Sequence, residues 1–164
     1  MGREIRRVPP NWEHPKDERG NYLPMHDKDF ETAASEWIEE FNQWEAGTHE
    51  HQRAYPKECA DCQHYWQWAG DPPDEELYRP KFEVEPTWYQ MYETVSEGTP
   101  VTPPFETKEE LTDYLVDHGT FWDQSRGEGG WSRVAAEQFV KNEWAPSMVV
   151  TQGKIFTARD GFPE

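Results

Sequence analysis

His49-Glu50-His51, seven residues, and then Cys59-Ala60-Asp61-Cys62-Gln63-His64 form the stretch whose residue types can do chemistry. Two thiolates at C-x-x-C spacing can share one metal through a tight turn, and zinc takes about four such ligands. Cys59 and Cys62 with His49 and His64, or with His51 in place of one of them, would make a Cys2His2 set. A structural zinc is the expected cofactor, because this set leaves no open coordination position for a substrate. A single C-x-x-C with no second pair reads equally as a redox pair or as two incidental cysteines. The zinc deaminase pattern H-x-E…P-C-x-x-C does not fit, since Pro56 is separated from Cys59 by two residues and the gap is too short for the intervening strand and helix.

Other chemistry finds less support. Gly127, Gly129 and Gly130 precede a helix start, which offers backbone donors to an anion, but no Lys-Ser or Lys-Thr follows. Ser96 in VSEGTP is not a nucleophile elbow, and His118 sits at a helix end, where a histidine commonly serves as a favourable charge. No nucleophile, base and orienting group can be assembled from spacing.

Charge is the strongest constraint. The chain carries 33 Asp and Glu against 16 Lys and Arg, a net charge of −17. Residues 1–28 sum to +1, residues 29–98 to −13 and residues 99–164 to −5. A field of that sign repels phosphate backbones, which argues against direct nucleic-acid binding and for a partner protein with a basic surface. The expected contact residues are Glu36, Glu39 and Glu40 on a first helix, with Asp74, Glu75 and Glu76 in the loop GDPPDEE. The same charge also serves as a solvated face that keeps a protein in solution. No run approaches ~18 apolar residues, so no membrane partner is expected. Two cysteines are too few for a disulfide framework.

The elements that must position these residues are legible in part. Phe30, Ala33, Ala34, Trp37, Phe41 and Trp44 recur at helical spacing between a capping Asp27 or Asp29 and Gly47. Their stripe reads as core, with a partner-binding groove as the alternative. Residues 47–82 read as an irregular acidic connection, with a loop up to Pro56 and one short helix near 58–68. Alternation over Trp88–Val95 predicts a central strand, followed by a Ser-Glu-Gly-Thr-Pro corner. Thr107 and Glu110 form a capping box for a helix ending at Gly119. Ser132 caps a third helix running to about Glu143, and MVVTQGKIF predicts a hairpin turning at Gln152-Gly153. Nine Trp, seven Tyr and eight Phe compensate for an apolar content of only 34%, since each aromatic buries roughly 150–250 Å². The fold class is α+β. We expect a small, mostly antiparallel sheet covered by about three helices, with an extended arm over residues 1–26 and a single domain over 27–164. Arg3, Arg6 and Arg7 of that arm would lie across the protein's own acidic surface.

The segments GREIRRVPPNWEHPKDERGNYLPMHD, WYQMYETVSEGTPVTPPFETKEELTDYLVDHG and GWSRVAAEQFVKNEWAPSMVV together resemble a group of small open reading frames of tailed bacteriophages and prophages, a group with no assigned activity. The resemblance covers the two ends and the centre and carries over no catalytic residue. It implies a phage-encoded accessory protein in the bacterial host cytoplasm. With the charge, it implies inhibition of a host or defence-system protein through an acidic, DNA-mimicking surface. The alternatives are a small-molecule-binding or zinc-stabilised protein, and a virion structural or assembly component.

Overall fold

A computed structural model describes residues 2–162. In chain order the elements are β1 (Gly2–Val8), β2 (His26–Asp29), α1 (Phe30–Glu45), α2 (Glu50–Ala54), α3 (Tyr65–Ala69), a 3-10 turn (Glu75–Leu77) and β3 (Tyr78–Arg79). There follow β4 (Trp88–Glu93), a second 3-10 turn (Val95–Glu97), β5 (Thr99–Pro100), α4 (Lys108–His118), α5 (Phe121–Ser125), α6 (Arg133–Asn142), β6 (Trp144–Pro146), β7 (Met148–Thr151) and β8 (Lys154–Thr157). The α+β class holds. The chain divides into two compact units, one of residues 2–25 and 82–162 and the other of His26–Lys81.

The larger unit is built on a four-stranded antiparallel sheet in the order β5-β4-β1-β6. The residues expected to open an arm are extended, and they form β1, a strand with a neighbour on each side. Its register sets Ile5 opposite Met91 and Glu4 opposite Trp144. The arginines do meet the protein's own acids: Arg3 pairs with Glu93 at 2.9 Å, Arg6 with Glu4 at 2.7 Å and Arg7 with Glu143 at 2.8 Å. Arg6 goes further. Its buried guanidinium lies 4.5 Å from the Tyr92 ring and donates to the carbonyls of Met25 and Glu97 at 2.6 and 2.7 Å. Gly98, at φ +130°, makes room for it, because a Cβ there would collide with the guanidinium.

Helices α4 and α6 cover one face of this sheet. Met91, Val101, Leu111, Leu115, Trp131, Ala136 and Phe139 form its core. Leu111 and Leu115 lie four apart on α4 and are fully buried, a gain of about 1.5–3 kcal/mol each. The T-x-x-E box caps α4 as expected: the Glu110 amide donates to Thr107 Oγ1 at 3.1 Å and the Thr107 amide to Glu110 Oε2 at 3.2 Å. Ser132 caps α6, accepting from the Ala135 amide at 3.2 Å. The β7–β8 hairpin turns at Gln152 and Gly153, both with positive φ.

The smaller unit, His26–Lys81, packs around aromatic rings. Trp44 and Tyr65 are buried with Cys59, and Trp37, Phe41 and Cys62 close the cluster. Asp29 caps α1 by accepting from the Thr32 amide at 3.0 Å, a bond that holds its carboxyl below the usual range. The connection expected as a loop with one helix near 58–68 instead carries two short helices, α2 and α3, with the cysteines on the turns between them. His49 explains α2, since its Nδ1 accepts the His51 amide and caps a helix that propensity alone would not start. Beside α1, the two-residue β3 pairs in parallel with β2.

Candidate functional site: an acidic aromatic pocket on α1

Helix α1 sorts its carboxylates by face. Glu36 and Glu40 lie one turn apart on the side that also carries Ala33 and Trp37. These four, with His26, Asp27, Lys28, Tyr65, Pro73 and Tyr78, line a cavity of about 360 Å³. Glu39 points elsewhere, into a shallow depression with Ser35, Ile38 and Asn42. Pro73 and Tyr78, which flank the segment carrying Asp74, Glu75 and Glu76 in sequence, line the same cavity, and those three carboxylates do not. All six carboxylates proposed from sequence are exposed; Glu36 and Glu40 line the cavity, and Glu39, Asp74, Glu75 and Glu76 do not.

Rings form the inner wall. Trp37 stacks on Phe41 at 5.4 Å and meets Tyr65 edge-on at 5.3 Å, while His26 lies over Tyr78 at 4.5 Å. The Tyr65 hydroxyl donates to Glu40 and so fixes that carboxylate against the rings. Burial, and then the Glu40 hydrogen bond and charge, push the Tyr65 hydroxyl up, so it stays a donor. The Lys28 ammonium pairs with Glu36. Arg79 lies 3.7 Å from Asp27 and also donates to its carbonyl. Among the described residues, Glu39, Glu75 and Glu76 enter no ion pair. The whole unit holds fourteen carboxylates against five Lys and Arg, a net charge of −9 in about a third of the chain.

The Cys/His stretch is put to other use. Cys59 is buried against Trp44 and Tyr65, and Cys62 is half-buried; both are free thiols. Burial, then the neighbouring Cys62 and Glu58, push the Cys59 thiol up, away from the thiolate that a metal needs. His49 is buried between Trp44 and Trp68, with Nδ1 already accepting from the His51 amide at 3.2 Å. His51 stacks on Trp68 at 4.6 Å. His64 is exposed, stacks on Trp66 and lies 3.6 Å from Glu45. Among the described residues, no three His, Cys, Asp or Glu side chains gather where they could hold a metal ion.

A comparison of the chain with protein-family models, curated proteins and solved structures finds no match in any of the three. Among the described residues, no helix is long and apolar enough to cross a membrane.

A second cavity, in the larger unit, is lined by Trp12, Tyr22, Pro103, Pro104 and Phe121 over His14 and Gln90. Its polar groups are spent internally. His14 is bonded to the Leu23 carbonyl at 2.7 Å and the Tyr92 hydroxyl at 3.1 Å, and Gln90 donates to the Thr102 carbonyl at 2.8 Å. Burial, with help from the Arg6 charge, holds the His14 imidazole below its ordinary value against the Leu23 bond. In the α1 pocket, Trp37 belongs to the stripe read as core or as a partner-binding groove, and Tyr65 is a residue that sequence reasoning does not single out. The signal was available in α1, where Ala33, Glu36, Trp37 and Glu40 recur at helical spacing and mix acid with ring on one face.

Proposed function

We propose that this protein acts by binding, and that the α1 pocket and its acidic margin grip a basic segment of a partner protein. The observation that carries this is the placement of Glu36 and Glu40 on the wall of a cavity that Trp37, Tyr65 and Tyr78 also line. Carboxylates and ring faces attract cations by different routes, one by charge and one by the ring quadrupole, and both strengthen as water leaves. The net charge of −9 on this unit supplies long-range steering towards a basic surface. In the phage setting that the sequence resemblance suggests, the partner is a host or defence-system protein whose basic surface otherwise meets DNA, and the place of action is the host cytoplasm.

The test is affinity purification from host lysate at low and high ionic strength, with wild type beside a variant carrying Gln or Asn at Glu36, Glu40, Asp74, Glu75 and Glu76. A partner protein is expected that high salt releases and that the variant binds at least about fivefold more weakly, from five charges at ~0.2–1 kcal/mol each. Retention of the same partner by both proteins, or a salt-insensitive partner alone, would overturn the reading.

A further inference from the structure

We propose that the α1 pocket receives one alkylammonium side chain of the partner, and that Lys28 is a resident occupant which that side chain displaces. This rests on the reading of the α1 face as the partner contact and adds what the pocket recognises. Lys28 lies on β2, one strand residue before the cap of α1, and its ammonium sits on the pocket wall against Glu36. The Glu36 hydrogen bond, working against desolvation and followed by the charges of Glu36 and Glu40, raises the Lys28 ammonium above its ordinary value. Both carboxylates line the cavity. The pocket thus already holds an alkylammonium beside the same carboxylates and rings that an incoming lysine would meet.

The pair is also built to be given up. The Lys28 and Glu36 side chains are 48% and 52% exposed, and ion pairs with that much solvent hold weakly. Glu40, by contrast, is tied to Tyr65 and does not need Lys28 to stay in place. Trp37 lines the cavity and its indole N–H is buried without a hydrogen-bond partner, so its resonance serves as the local probe. Lys81 provides a matched control. It pairs with Glu31 at 3.4 Å, both side chains about 70% exposed, and it does not line the pocket.

The experiment titrates the full chain with a short lysine-rich peptide at low ionic strength, following the tryptophan indole N–H resonances, for wild type, Lys28→Gln and Lys81→Gln. Both substitutions remove one positive charge, so the net charge changes equally. Lys28→Gln is expected to bind the peptide about threefold more tightly than Lys81→Gln, the size of one exposed ion pair no longer broken. The Trp37 indole should shift on saturation, and the same peptide with acetylated lysines should leave it in place. Equal tightening by both variants would overturn the displacement while leaving the binding reading intact. Saturable binding with an unmoved Trp37 indole would put the peptide elsewhere on the acidic face. No binding to any of the three proteins would defeat the binding reading itself.

Discussion

Asp123→Ala is expected to lower the unfolding free energy by about 4 kcal/mol, from the loss of three buried hydrogen bonds at ~1–3 kcal/mol each. Asp123 is 3% exposed. Its Oδ2 accepts from the Thr120 amide and hydroxyl at 2.8 Å each and from the Trp131 indole at 2.9 Å. It therefore closes the cap of α5 and anchors the tryptophan at the base of the main core in one step. Truncation strands the donors in a place that water does not reach. Burial pushes this carboxyl up, but the Trp131 bond, the Thr120 bonds and the Arg3 charge outweigh it and hold it below the usual range. The sign of the pH effect follows. A carboxyl depressed in the folded state adds stability that is fully present above its unfolded value, near 3.9, and fades as pH falls through the folded one. Urea melts at neutral pH and in acid should show the gap between wild type and Asp123→Ala narrowing below about pH 4. Asp123→Asn, which keeps an acceptor but no charge, should fall between them. A neutral-pH loss under ~1 kcal/mol would mean that water replaces the carboxylate.

Gly130→Ala is the second large effect, expected to cost about 3 kcal/mol and to lower Tm by about 6–12 °C. The obstacle is backbone. A Cβ at Gly130 would be driven into the Val116 carbonyl, with the Leu115 carbonyl 3.1 Å away. Helix α4 cannot yield there, because the Leu115 carbonyl already accepts from the Trp131 amide at 2.8 Å and the Gly119 amide at 2.9 Å. The loop must move instead, breaking the Trp131 bond and lifting its ring off Phe139. Gly129→Ala is the control: its nearest neighbour is the end of the Arg159 side chain at 3.9 Å, so its thermal melt should stay within ~0.5 kcal/mol of wild type. Equal melting temperatures for the two variants would show that the loop adjusts freely.

The two residues show where sequence reading succeeds and where it stops. The T-x-x-E box, the Ser132 cap and the Gln152-Gly153 turn were legible because each is settled by atoms within four residues of one another. Gly130 looked like one of several loop glycines, since the helix end it packs on lies fourteen residues back. Asp123 is one of 33 acids, and nothing local marks it as the buried one. In the Cys/His stretch, spacing shows that the residues are close in sequence and not that His49 serves as a helix cap and packs on aromatic rings. In α1, Glu36, Glu39 and Glu40 share one turn, and only the fold shows that Glu36 and Glu40 line one cavity while Glu39 lines a different depression.

The position of β1 between β4 and β6 has a consequence for the order in which the chain assembles. Gly2 pairs opposite Pro146 and Arg3 opposite Glu93, separations of roughly 140 and 90 residues, so β1 gains its second neighbour only once β6 is in place. His26–Lys81 closes its longest ladder, His26 with Tyr78, over roughly 50 residues and can gather its rings while translation continues. Long-range pairings of the first kind slow folding, because loop-closure entropy is lost before any contact compensates it. Until those later segments exist, Arg3 and Arg7 of β1 lack Glu93 and Glu143, while the intervening His26–Lys81 unit is strongly acidic.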